Sequence, residues 1–207
     1  MSANLPCKFR KARPQDVETA LQLIYSSGPQ AFEYLFPRHG ATQQDFLRFA
    51  FTDGNGFLGY KNHLVATSNG QVVGIAAFYN FSTYARLTLE HLAQLLRFYP
   101  ALNFFGLAVR GIHLKSIMPA PTQKMHYVAN FGVVKAFRGM GIGTCLLDHQ
   151  RAQALTLGRT RYALDVSVDN QRAQGLYERY GFSAQTENQF SGPHGVVPNT
   201  RRMIMSL

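Results

Sequence analysis

Apolar and polar positions along the chain trade two periods, two for strands and 3.6 for helices, in an order that reads as a mixed sheet with helices. Lys8-Phe9-Arg10-Lys11-Ala12 is expected as a first strand. Pro14 opens a helix where its missing N–H is harmless, and Val17, Ala20, Leu21 and Ile24 fall on one face. Gly28-Pro29 breaks that helix, and residues 31–36 and 43–51 repeat the helical pattern. Residues 64–68 and 71–79 flank Asn69-Gly70, the dipeptide that best accepts the positive φ angles of a two-residue hairpin turn.

The second half has a more regular rhythm. The apolar strand Tyr127-Val128-Ala129-Asn130-Phe131-Gly132-Val133-Val134 leads into Arg138-Gly139-Met140-Gly141-Ile142-Gly143 and then a helix over 144–157, stopped by Gly158. Leu164-Asp165-Val166-Ser167-Val168-Asp169-Asn170 alternates and ends in turn residues. From Gln171, Ala173, Leu176, Tyr177 and Tyr180 share a helical face, Gly181 is placed as a left-handed cap, and strands follow near Phe182 and Arg201. Between Asn80 and Met125 lies a long stretch in which Ala85, Leu89, Leu92, Leu96 and Tyr99 have helical spacing, with Glu90, Gln94 and Arg97 largely opposite. Pro100 closes that helix and 102–114 forms a second, so a helical insert is expected over about 82–122.

Composition narrows the function classes. At 207 residues, with 46% hydrophobic and 13% aromatic residues, the chain suits one domain, expected over 7–207. No uncharged apolar run of about 18 residues exists, so no membrane span is expected. The segment Met1 to Pro6 lacks the charged and apolar regions of a secretory signal. Cys7 and Cys145 are the only cysteines and stand at no metal-ligand spacing, which points to a reducing cytoplasm and no metal. The net charge of +10 is dispersed, without a basic run or a basic-aromatic platform. No nucleic-acid partner is expected, and the charge suits a ligand that carries several phosphates.

The glycine turn is where chemistry enters. Alternate glycines let the backbone come close to a ligand, the turn feeds a helix N-terminus that favours anions, and Arg138 adds a fixed charge. The spacing fits neither a dinucleotide-binding loop, since its third glycine comes one residue early, nor a P-loop, since the turn has no lysine. The arrangement R-x-x-G-x-G after a strand resembles the pyrophosphate-binding turn of the GNAT superfamily of N-acetyltransferases. The string Asn170-x-x-Ala173-x-x-Leu176-Tyr177-x-x-x-Gly181-Phe182 is similar to the second signature of that superfamily, and it stands at the expected distance from the first. The resemblance is specific from about Tyr127 to Phe182.

This resemblance implies a GNAT-like α/β fold, a central mixed sheet flanked by helices with the insert before the cofactor-binding strand. It implies acetyl transfer from acetyl-CoA to a primary amine by direct attack in a ternary complex. A catalytically weak acyl-CoA-binding regulatory module is the alternative. The implied cofactor contacts are Phe131, Gly132, Val133, Val134, Lys135, Arg138, Gly139, Met140, Gly141, Ile142, Gly143, Thr144, Asn170 and Tyr177. Backbone N–H groups at Gly132 and Val133 suit an oxyanion, because a glycine there hints at a bulge. Tyr177 is the expected general acid for the departing thiolate, a core tyrosine on the face it shares with Leu176 and Tyr180 being the alternative. Asn170 either meets the pantetheine arm or caps its helix.

A free amine with a pKa near 10.4 needs a base. The loop-bearing strand carries no Asp or Glu where many family members have one, so Asp165 on the next strand is the expected base, an outward ion-paired carboxylate being the alternative. His126, Glu33 and Glu90 stand in reserve. The acceptor side is expected to be bordered by the N-terminal helices and by 189–199. Phe32, Tyr34, Phe36, Phe57, Phe78 and Tyr79 either line it or fill the core. Glu33, Asp45, Asp53 and Glu187 are too few to favour a polycationic acceptor. The insert is expected to cover the acceptor side of the cleft or to make a homodimer contact.

Overall fold

A computed structural model describes residues 7–36 and 42–207. Seven strands form one sheet in the order β1-β2-β3-β4-β5-β7-β6: β1 (Lys8–Lys11), β2 (His63–Ser68), β3 (Gln71–Tyr79), β4 (Met125–Val133), β5 (Arg161–Ser167), β6 (Ser183–Asn188) and β7 (Thr200–Ser206). Every neighbouring pair is antiparallel except β4 and β5. Asn69 and Gly70 take φ of 49° and 80°, so the hairpin between β2 and β3 closes as its sequence predicts. The mixed sheet flanked by helices matches the expected fold class.

Alternation along β2, and a bulge at Val73 that switches faces within β3, sort the helices onto two faces. Val65 and Ile75 pack beneath α1 (Val17–Ser26) and α3 (Gln43–Asp53), together with Ala20, Ile24, Phe46 and Phe51. Leu64, Ala66 and Val73 point the other way, against Ile142 and Leu146 of α6 (Ile142–Thr156). On that second face α7 (Gln171–Tyr180) sets Tyr177 against Leu164, Val166 and Met203 of β5 and β7. The short α2 (Pro29–Leu35) starts at Pro29, which opens a helix rather than only ending one.

The insert is two helices, α4 (Phe81–Phe98) and α5 (Ala101–Ile117), packed on α3 and α2 respectively. The buried face of α4 differs from the one its spacing predicts. Ala85, Leu89, Leu92 and Leu96 are exposed, while Leu87, Gln94 and Leu95 are buried. The cause lies outside α4: α3 ends at Gly54 in a tight turn, and Gln94 Nε2 donates to Asp53 Oδ2 and the Asn55 carbonyl, each at 2.9 Å. A buried amide that satisfies a neighbouring helix end thus outweighs the apolar stripe. On α5 Leu107, Leu114 and Ile117 are buried, and Leu102, Phe105 and Ile112 are exposed.

Candidate active site

β4 and β5 pair only from Met125–Arg161 to Val128–Leu164, although β4 runs on to Val133 and β5 to Ser167. Beyond that seam the strands part. The sequence cause sits in β4, where the register against β3 slips so that Asn130 and Phe131 lie opposite the single residue Ala76. Asn130 takes a left-handed φ of 50° and is held there by its side chain, whose Nδ2 lies 3.1 Å from both the Phe57 carbonyl and His63 Nε2. A bulge bends its strand, and here it opens a cleft.

Past the bulge, Val134 N–H donates to Val73 O at 2.9 Å, toward β3. Backbone alternation turns the Gly132 N–H the same way and the Val133 N–H toward the parted edge. Of the two residues expected to offer an oxyanion donor, only Val133 presents its N–H there. Gly132 has another reason to be glycine: a Cβ at this position would lie 2.8 Å from the carbonyl oxygen of Leu23 in α1.

The turn after β4 completes the cleft. Gly139 and Gly141 have φ of 85° and 80°, left-handed values that favour glycine. Cys145 is the first residue of α6 to bond back, to Gly141 O, so the N–H groups of Ile142, Gly143 and Thr144 have no partner within the helix. Arg138 Nε is anchored on Val133 O at 3.0 Å. Arg138 of the turn and Arg172 and Arg179 of α7 all line the cleft, so its wall carries three cations beside the three free N–H groups at the start of α6. A cluster of donors with so little carboxylate nearby fits a polyphosphate ligand.

The cleft has a volume of about 890 Å3. Its walls include Phe131, Gly132, Val133, Gly139, Gly141, Ile142, Gly143, Thr144, Asn170 and Tyr177, but not Val134, Lys135 or Met140. Asn170 accepts a hydrogen bond from Ala173 N at 3.1 Å, so it caps α7 while it lines the cleft. Tyr177 packs edge-on against Phe131 and Phe182, and burial raises its phenol above the ordinary range, so it stays protonated at neutral pH.

Asp165 lines the cleft but is neither outward nor free. Its carboxylate accepts from Arg202 Nε at 3.0 Å and Nη2 at 2.5 Å, from Tyr127 Oη at 2.7 Å and from Asn188 Nδ2 at 3.2 Å. The two side chains of this ion pair are 1% and 9% exposed. Among the described residues Asp165 is the only carboxylate on the cleft wall. The reserves are elsewhere: His126 faces Gln150 Oε1 at 3.1 Å, Glu33 accepts from Tyr25 Oη, and Glu90 accepts from Gly56 N and pairs with Arg86.

Of the aromatics singled out in the sequence, Phe32, Phe36, Phe57 and Tyr79 line the cleft. Phe78 instead stacks on His126, and Tyr34 packs on Phe190. The segment 189–199 does not reach the cleft. Phe190 and Val197 pack with Leu114 and Ile117 of α5, and Ser191 N–H donates to Ser116 Oγ at 3.0 Å, so this segment clamps the insert from outside. The sequence reading missed Tyr84 and His91 of α4 and Tyr127 of β4, all of them on the cleft wall. His91 is held near a pKa of about 4 by burial. Its only sequence signal was its place on the face of α4 taken as polar.

With this geometry, a model of the Acetyltransferase (GNAT) family matches residues 22–182, more than half of the chain. The chain belongs to the GNAT family of acetyltransferases. It is 35% identical over 65 residues to an uncharacterised N-acetyltransferase, YdgE, of Bacillus subtilis, covering 31% of this chain and 41% of that protein. It is 38% identical over 56 residues to N-alpha-acetyltransferase 30 of Schizosaccharomyces pombe, covering 27% and 37%. The matches thus span about two-fifths of these curated relatives. In fold, the chain is similar to an N-acetyltransferase crystal structure from Staphylococcus aureus Mu50, with 19% identity, a TM-score of 0.68 and coverage of 96% and 100%. Among the described residues no helix is long and apolar enough to cross a membrane.

Proposed function

We propose that this GNAT-family chain transfers an acetyl group from acetyl-CoA to a primary amine within the cleft between β4 and β5. The observation that carries the reading is a single cleft whose wall holds the free N–H groups of residues 142–144 at the glycine turn, Arg138, Arg172, Arg179 and the buried Tyr177. Acetyl-CoA is the co-substrate of the family. Its pyrophosphate finds donors in the glycine turn, and its pantetheine arm finds the unpaired edge of β4 at Phe131 and Val133.

Each remaining task falls to a group on the wall. Val133 N–H is turned to receive the oxyanion that forms as the amine adds to the thioester carbon. Tyr177 keeps its proton and offers it to the sulfur as the carbon–sulfur bond breaks. The proton that the amine nitrogen sheds passes to Tyr127 Oη, which hands its own to Asp165 Oδ2. Asp165 therefore acts through Tyr127 and never needs an open lone pair toward the substrate. The balance is one N–C bond made, one C–S bond broken, and one proton moved from nitrogen to sulfur by way of the protein and solvent. The single domain over 7–207 and a cytoplasmic setting belong to the same reading.

A second reading is favoured by one observation, the full engagement of Asp165: a catalytically weak module that binds acyl-CoA for regulation. The two part on turnover. Calorimetric titration of acetyl-CoA into the wild type and Gly141→Asp tests the shared claim, with micromolar binding expected in the first and lost in the second. Release of free thiol on adding an amine then selects the enzyme, and binding without release selects the module.

A further inference from the structure

The part of the cleft wall contributed by α2, α4 and α5 has a composition of its own. Phe32 of α2 and Phe36 just after it, Leu92 and Leu95 of α4, and Phe104 and Ile112 of α5 line it. The carboxylates of α2, α3 and α4 are engaged elsewhere. Asp53 pairs with Arg97, Asp45 accepts from Thr42 N–H and Oγ1, Glu33 from Tyr25 and Glu90 from Gly56 and Arg86. The one carboxylate in the cleft is already neutralised by Arg202. Lys115 is the charged side chain that α5 brings to the wall.

We infer that this part of the cleft, built largely by the insert, selects a primary amine carried on an apolar body, either a free alkyl or aryl amine or the N-terminus of a peptide with an apolar first residue; the inference rests on the acetyltransferase reading above. A second ammonium group would be buried here without a counter-ion, which is strongly unfavourable. A hydrocarbon body gains from the same wall, by about fourfold in affinity for each buried methylene. The apolar surroundings also favour the neutral form of the amine, and that is the form that attacks. Phe57, Tyr79 and Tyr84 pack in tilted contact with centroids 5.3–6.0 Å apart, and Tyr79 lies 5.1 Å from Tyr127, so rings line the cleft up to the amine's proton acceptor. The insert thereby gains a role in choosing the substrate, beyond covering the cleft.

Two glycines of α5 make the test clean. A Cβ at Gly111, on the cleft wall, meets nothing within 4 Å, and the same holds for Gly106, which is off that wall. Leucine at either site raises helix propensity, so Gly111→Leu fills the cleft and Gly106→Leu is its control. Thiol release would be followed with ethylamine, hexylamine, octylamine, phenethylamine, ethanolamine and spermidine, and with short peptides beginning Met-Leu or Ser-Gly. Acetyl-CoA binding would be measured beside each variant.

Expected are a kcat/KM that climbs with alkyl length, poor use of ethanolamine and spermidine, and at least a tenfold loss for octylamine in Gly111→Leu alone, with acetyl-CoA affinity unchanged. Activity on octylamine without the Met-Leu peptide assigns the free amine, and the reverse assigns the peptide. Equal use of polar or polycationic amines, or an unaffected Gly111→Leu, overturns the inference and leaves the acetyltransferase reading standing. Acetyl-CoA binding with no thiol release from any amine overturns both.

Discussion

Tyr127 Oη donates a 2.7 Å hydrogen bond to Asp165 Oδ2 across the seam where β4 and β5 part. Burial first, and then the Asp165 charge, raise the Tyr127 phenol well above its ordinary range, so the donor keeps its proton and the orientation of the bond is fixed. Arg202 closes the group from the β7 side and lies 5.3 Å from the Tyr127 ring centroid. The carboxylate is thus reached from the cleft by way of the tyrosine.

Tyr127→Phe removes that route and leaves the ion pair intact. Its expected effect is a fall in kcat of roughly 10²-fold, with acetyl-CoA affinity unchanged and stability within about 1.5 kcal/mol of wild type. Asp165→Asn is a different experiment, since it leaves Arg202 buried without its counter-ion and is expected to cost about 3–5 kcal/mol of stability. Denaturant melts beside steady-state rates separate the two. Wild-type turnover in Tyr127→Phe would remove the relay.

Tyr177→Phe keeps the edge-on packing against Phe131 and Phe182 at 6.0 and 5.8 Å and deletes only the hydroxyl. If that hydroxyl serves the leaving sulfur, kcat falls by roughly tenfold or more and the dissociation constant for acetyl-CoA does not move. Equal turnover would return the ring to packing alone. The raised phenols of Tyr79, Tyr127, Tyr162 and Tyr177 carry a further expectation. Above about pH 10 the unfolded chain ionises these groups while the folded chain does not, so stability falls with rising pH there.

The acid side has the opposite slope. His63 is buried and His91 half-buried on the cleft wall, and desolvation holds each at a pKa of about 4 against 6.5 when exposed. Below pH 6.5 the unfolded state takes up protons that the folded state refuses, so stability is complete above that value and is lost down to about pH 4. Each histidine contributes a loss approaching about 1.4 kcal/mol per pH unit within that window. His91→Phe should flatten the slope by one such share, as measured by urea unfolding between pH 7 and pH 5. An unchanged slope would mean that His91 is not the neutral, desolvated group described.

The sequence made the strands, the hairpin and both signature motifs legible because each rests on local rules: alternation from Leu164 in β5, paired positive φ at Asn69-Gly70, and glycine at the cap after α7. It misjudged α4 because burial there is decided by a distant partner. Gln94 is inside to satisfy the end of α3, and no periodicity within α4 encodes that need. The site divided along the same line. The glycine turn and the position of Tyr177 stand in motifs that resemble those of the family, whereas the Tyr127–Asp165–Arg202 group joins three strands and exists only after folding. The position of 189–199 outside the insert was equally invisible, because its apolar residues fit either side of α5 in sequence.

Gly132 joins fold and site in one position. A Cβ there would stand 2.8 Å from Leu23 O and 3.3 Å from its carbonyl carbon, and a backbone carbonyl within α1 cannot rotate aside as a side chain can. Gly132→Ala must therefore push β4 away from α1 at the point where β4 bends. The expected loss of stability is about 1–3 kcal/mol. The shift also carries Val133, whose N–H is turned to the cleft and whose carbonyl anchors Arg138. Kcat and acetyl-CoA affinity should then fall together, unlike in Tyr127→Phe, where only kcat falls. A Gly132→Ala protein as stable as wild type, with both constants unchanged, would show that α1 yields and that the bulge alone sets the course of β4.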